Sequence, residues 1–225
     1  MRHILGTLLA LACLAASLPS GAAEPAATIT RLVGDAEVLR AGRRSHLAPG
    51  DEVRPRDRLI TAAGGRLETR FGDGSVVVLA EGSEASVDIW VPGVGRGTLA
   101  LRLHFGALLV DAGTIDTLRV RTPVAVVGVR GTKFWAGPVE GGRFGVLLLR
   151  GAIWVENRSG RVEVETEGAG VFLPPPDGPL PQELTEEAGA WAGLGAPRVP
   201  GGPPSLPTAW PEDLRQRALA GVEMP

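Results

Sequence analysis

Alternation with a period of two dominates the chain. Leu99, Leu101, Leu103 and Phe105 are interleaved with Ala100, Arg102 and His104, Leu118 and Val120 with Arg119 and Arg121, and Val162 and Val164 with Glu163 and Glu165. Side chains in a strand point to opposite faces in turn, so each run predicts a half-buried strand. Leu67, Thr69 and Phe71 face inward against Arg66, Glu68 and Arg70; Gly72-Asp73-Gly74 then turns the chain into Ser75 to Ala80, which predicts a hairpin. Further turns are expected at Pro49-Gly50-Asp51, Ala63-Gly64-Gly65, Glu140-Gly141-Gly142 and Asn157-Arg158-Ser159-Gly160. No useful helical periodicity lies between Ala27 and Leu173. The expected fold is all-β: an antiparallel sandwich or a short coiled stack of many short strands. Gly34, Gly106 and Gly151 each open a G-[DA]-x-x-V segment, but spacings of 72 and 45 residues exclude a regular solenoid.

One run departs from alternation. From Thr122 to Phe134 the chain reads TPVAVVGVRGTKF, apolar on both faces, which predicts a strand covered on both sides with Val126 and Val127 both buried. Pro123 suits the strand entrance, and Gly131 after Arg130 suits a bulge or bend before Phe134.

The two ends differ from this middle. Arg2 and His3 precede an apolar run of 15 residues, Ile4 to Leu18, and Gly21-Ala22-Ala23 follow. The run is short of the ~20 residues of a membrane span, so residues 1–23 read as a secretory signal peptide cleaved before Glu24. Cleavage removes Cys13, the only cysteine, and leaves neither disulfides nor thiol chemistry. The chain is expected to work in the periplasm, with no transmembrane span after cleavage. At the other end, 12 of the 19 prolines lie from Pro174 onward, so residues 24–173 are expected to form the β-domain and 174–225 a Pro-rich tail. Two short helices are expected in the tail, one capped by Thr185, the other started by Pro211 with Glu212 and Asp213 in its first turn. Trp191 and Trp210 either pack back on the β-domain or dock a partner; they are carried as candidate binding residues together with Trp90.

Candidate chemistry is sparse. A formal charge of −2 argues against a nucleic-acid partner. His46 and His104, the histidines left after cleavage, have no metal-ligand spacing and read as solvated side chains. Ser75 follows Gly-Asp-Gly and lacks the G-x-S-x-G elbow. Asp73, Glu81 and Glu84 fall near turns and give a two-carboxylate glycosidase no positive support. No catalytic residue, metal or cofactor is expected. Trp135 and Trp154 lie in apolar strands and read as core, whereas Trp90, before the glycines at 93, 95 and 97, reads as free; a glycan platform would depend on it.

The string T-P-x-A-V-x-x-V-R-G-T-x-F, carried by Thr122, Pro123, Ala125, Val129, Arg130, Gly131, Thr132 and Phe134, resembles the signature of the FecR-domain family, periplasmic β-rich modules of iron-uptake signalling regulators. Gly34 to Val38, Gly50-Asp51-Glu52-Val53, Asp57 to Thr61, Asp73-Gly74-Ser75, Gly106-Ala107 and Gly151-Ala152 follow the family's order, so the resemblance spans most of Ile29 to Val171. It implies structural roles for the signature residues and a non-enzymatic domain for protein interaction or envelope signalling. The implied partner is an envelope protein, with peptidoglycan or another glycan as the alternative. The family's regulators carry a cytoplasmic anti-sigma segment and an uncleaved membrane helix; neither is expected in this chain.

Overall fold

The computed structural model describes residues 24–93, 97–174 and 202–224. Residues 1–23, Trp191 and the Thr185-capped helix lie outside the described residues. The strands are β1 (Ala27–Val33), β2 (Ala36–Arg40), β3 (Arg43–His46), β4 (Glu52–Val53), β5 (Arg58–Thr61), β6 (Arg66–Phe71), β7 (Val76–Leu79) and β8 (Glu84–Val91). They continue as β9 (Thr98–Phe105), β10 (Leu108–Asp111), β11 (Thr117–Arg121), β12 (Val126–Pro138), β13 (Phe144–Asn157), β14 (Gly160–Val164), β15 (Ala169–Leu173) and β16 (Thr208–Ala209). Among the described residues one α-helix, α1 (Glu212–Ala220), follows Pro211. The fold is all-β, as the alternation predicts.

Hydrogen bonding joins the strands in the order β3-β2-β5-β8-β9-β11-β12-β10-β7-β6-β1-β4, with β13, β14, β15 and β16 continuing from β12. This sheet is folded over on itself. The long strands β12 and β13 run through both halves: Val126–Arg130 pairs with β11 and with Ala152–Glu156, whereas Lys133–Pro138 pairs with β10 and with Phe144–Arg150. The register shifts between, at Arg130/Lys133, where Gly131 has φ 58° and Gly151 φ 86°. A Cβ on Gly151 would stand 2.7 Å from the Gly131 carbonyl oxygen, so this close approach requires glycine. Elsewhere the chain steps from one half to the other through short turns. Leu59, Leu99 and Leu118 of one half and Leu67, Val77 and Leu108 of the other then share a single apolar cluster.

Three features correct the expectations. First, Thr122 to Ala125 is no strand but the turn between β11 and β12. The Thr122 backbone N–H donates to the Ala125 carbonyl (2.8 Å), and its Oγ1 accepts from the N–H groups of Val124 (3.3 Å) and Ala125 (3.0 Å). Pro123 therefore sits in a turn, where its missing donor costs nothing. Second, Val127 is fully buried but Val126 only half so, because Val126 points to the outer face between Arg121 and Glu156. Third, β9 and β11 pair in parallel, Thr117 beside Thr98 through Arg121 beside Arg102. The intervening β10 lies in the other half, so the chain returns in the same direction.

The described C-terminal segment docks. β16 pairs with β15, and Trp210 and α1 lie on the outer face of the half formed by β7, β10, β15 and the adjoining parts of β12 and β13. Val78, Trp135 and Leu147 form a second apolar cluster there with Trp210, Ala218 and Val222.

Candidate functional site

Among the described residues, one half of the sheet is thus covered on its outer face and the other is open. The open face is carried by β5, β8, β9, β11, the first part of β12, the last part of β13, and β14. Register defines its rows. Arg58, Ser86, Arg102, Arg121, Val126, Glu156 and Arg161 are successive cross-strand partners. The next row runs Ile89, Ala100, Arg119, Gly128, Trp154, Glu163.

The second row seats Trp154. The ring lies flat on Gly128, where a Cβ would stand 2.0 Å from Cε2. The Arg161 guanidinium lies 4.6 Å from the ring centroid and that of Arg119 5.9 Å, within cation–π range. Gly128 in the strand thus serves as a floor for an aromatic side chain. Beside it, Asp116, Ile153, Trp154, Arg161, Glu163 and Glu165 line a cleft of about 350 Å³. Trp154 is half-buried on this outer face and not core, as its apolar strand had suggested.

The β5–β9 side carries a polar network. Arg58 pairs with Glu84, and Asp88 accepts from Arg102 Nε (3.0 Å), Arg102 Nη2 (2.8 Å) and Ser86 Oγ (2.8 Å). His104 Nε2 lies 3.1 Å from Ser86 Oγ. Burial first, then the positive charges of Arg58 and Arg102, hold His104 down to about 4; nearby Asp88 opposes them. His104 is therefore a half-buried neutral imidazole within a network, not the solvated side chain expected. For Asp88, burial pushes its carboxyl up, but hydrogen bonds from Arg102 and Ser86 and the charges of Arg102 and His104 outweigh it and leave it below its ordinary value.

By contrast, Arg119 and Arg121 are exposed, and neither has an ion-pair or hydrogen-bond partner among the described residues. Arg121 stands directly opposite Arg102, a like-charge pair across the β9–β11 ladder. Next to them Ile89 and Val91 are exposed at 49% and 50%, an unusual level for large aliphatic side chains within a strand. Alternation alone does not reveal this patch. The parallel β9–β11 pairing brings Arg102 and Arg121 together, and a bulge between Val87 and Ile89 turns Ile89 outward.

The remaining sequence candidates lie elsewhere. Ala125 and Thr132 of the signature are buried, as are Thr122 and Phe134, and Val129 is half-buried. Thr132 Oγ1 donates to the Ala152 carbonyl (2.6 Å), tying the β12 bend to β13; Arg130 and Gly131 form that bend. The signature thus maps to a turn and a bend that set the β12–β13 corner. Trp90 is not free: it is half-buried, packed on the core cluster with its ring 5.6 Å from that of Phe71. Trp210 is buried, stacked on Phe172 (5.0 Å, 8°) and edge-on to Trp135 (5.9 Å, 73°). The platform of Trp90, Trp135 and Trp154 is therefore not assembled: the rings lie in the core end, under α1 and on the open face. Asp73 holds Ser75 in its own turn, Glu81 accepts from Gly64 N–H (2.8 Å), and Glu84 pairs with Arg58, so each carboxylate has a separate local partner. No helix among the described residues is long and apolar enough to cross a membrane.

Two crystal structures of a candidate anti-sigma factor from Parabacteroides distasonis, at 1.65 and 2.50 Å resolution, align with TM-scores of 0.47 and 0.45 and 17% identity. Each alignment covers 54% of this chain and 57% and 56% of the matched chains, so the chain spans little more than half the length of those proteins. No curated protein matches the chain. The family described as FecR protein matches residues 57–154, from the start of β5 into β13. This FecR match takes in most of the strands of the open face and the β12–β13 corner.

Proposed function

We propose that this protein is a non-enzymatic binding module of the cell envelope, delivered to the periplasm by residues 1–23 and engaging an envelope protein through the open face of its FecR domain. The FecR match over residues 57–154 supports an envelope signalling role. The observation that carries the binding surface is the asymmetry of the sheet. Among the described residues, one outer face is sealed by Trp210 and α1, while the other presents exposed Ile89 and Val91 and the guanidinium groups of Arg119 and Arg121 with no ion-pair or hydrogen-bond partner. Covering exposed aliphatics and unpaired guanidinium groups on a rigid sheet is the work of a partner.

Photo-crosslinking in intact cells tests this. Benzoylphenylalanine is placed at Thr117, on the open face, and at Asp213, on the exposed side of α1. A discrete adduct with one envelope protein, from Thr117 and not Asp213, is expected. Absence of any protein adduct from both positions, or peptidoglycan hydrolysis by the purified protein, overturns the reading.

A further inference from the structure

We propose that the partner presents a carboxylate-bearing, extended segment that lies across β8, β9 and β11, its acidic side chains on Arg119 and Arg121 and its apolar ones on Ile89 and Val91. This inference rests on the envelope-protein reading above and names the chemistry of the surface.

The argument starts from an uncompensated charge. Most arginines of the face are neutralised in place: Arg58 by Glu84, Arg102 by Asp88, Arg161 by Glu163 (3.1 Å). Arg119 and Arg121 alternate on one strand, so both point outward, two residues and ~7 Å apart. Arg121 faces Arg102, whose partner carboxylate, Asp88, is already committed to it. A like-charge pair opposite across a ladder costs stability. It persists here with no acid among the described residues paired to Arg121. A carboxylate from outside would, and guanidinium groups bind carboxylates in a bidentate fork.

The surroundings select among anions. Ala100 and Gly128 flank Arg119 in its row, so the surface between Ile89 and Trp154 is low and flat, suited to an extended chain. Ile89 and Val91 lie on the far side of β9 from the arginines, at the spacing by which a strand places alternate side chains on one face. Beyond Trp154, however, Asp116, Glu163 and Glu165 line the cleft towards β14. A long uniform polyanion would run into these carboxylates. A short segment with acids at alternate positions and aliphatics beside them meets complementary charge only over β9 and β11. This favours a protein segment over a sulfated glycan or a lipid headgroup surface.

The test uses the isotope-labelled protein purified from cells. The probes are a blocked peptide alternating Glu and Val, its Lys–Val counterpart, heparin, and vesicles containing anionic phospholipid. Nuclear magnetic resonance shifts are followed at the arginine Nε–H groups, the Trp154 indole and the Ile89 and Val91 methyls. Saturable changes confined to these groups are expected with the Glu–Val peptide only. Affinity should fall at least about tenfold in R119E/R121E and change less than about threefold in R119K/R121K, with weakening at high salt in the native protein. Shifts that map to β3 or α1, affinity unchanged by charge reversal, or no binding of the Glu–Val peptide overturn the proposal. So do equal binding of heparin or vesicles and shifts that depend only on protein concentration, which would make the occupant a glycan, a lipid surface or a second copy. An adduct from Thr117 in cells combined with failure here would leave the envelope-partner reading standing and remove only its acidic chemistry.

Discussion

Val126 and Val127 are adjacent in sequence and opposite in surroundings, which sets a sharp contrast at the residue scale. Val127 is fully enclosed, so Val127→Asp places an unpaired carboxylate in the core at a cost of several kcal/mol, comparable with a domain stability of about 5–15 kcal/mol. Val126 borders Arg121, so Val126→Asp should cost less than about 1 kcal/mol or gain from that arginine. Urea denaturation of both variants checks the ordering. His104 supplies a pH dependence. Its pKa is about 4 in the fold against 6.5 unperturbed, so between those values the unfolded chain binds a proton that the folded one refuses. Stability from this group is intact above pH 6.5 and falls as pH drops toward 4; a loss of roughly 1–2 kcal/mol from pH 7 to 5 is expected, and His104→Gln should flatten it. A midpoint equally acid-sensitive in the variant would refute the assignment. Gly128→Ala is informative in another way, because its Cβ would stand 2.0 Å from Trp154 Cε2. The ring must lift off the strand and leave Arg161, which tryptophan fluorescence and a destabilisation of about 1–3 kcal/mol should report.

At the scale of elements, the strands followed from alternation. Leu99, Leu101 and Leu103 are buried in β9, Leu118 and Val120 in β11, and Leu67, Thr69 and Phe71 in β6, each as its period predicts. The Gly72–Gly74 turn and the Pro211 helix start were equally legible, since both rest on local backbone chemistry. The Thr122–Ala125 turn was not. Val124 and Ala125 are buried like strand residues, and the cue was Thr122 itself, whose hydroxyl can cap a turn as readily as it can line a strand. The docked C-terminus makes a further prediction. The central apolar cluster contains no residue beyond Leu173, so truncation there should still unfold cooperatively. The exposed Trp135, Leu147 and Phe172 should lower the midpoint and bind a hydrophobic dye; a truncated protein without a cooperative transition would make the C-terminal segment part of the folding unit.

For the whole molecule, the expected mature N-terminus is Glu24, and N-terminal sequencing of protein recovered from the periplasmic fraction checks it; an intact Met1 chain in the membrane fraction would contradict export. The open face is also a property of the whole, since none of its rows is contiguous in sequence. The signature residues fall within the FecR match, yet they shape the corner of β12 and β13 while the surface chemistry lies on β8, β9 and β11. Sequence by itself determined what depends on near neighbours: strand periodicity, turns, the glycine bulge and the FecR resemblance. Only the tertiary structure decided which outer face is sealed, that Arg102 and Arg121 stand side by side, and that His104 loses its proton. The reason is physical. Alternation tells a residue which side of its strand it occupies, but burial, like-charge contact and desolvation depend on strands brought together from distant parts of the chain, and no local pattern encodes which of two faces another element will cover.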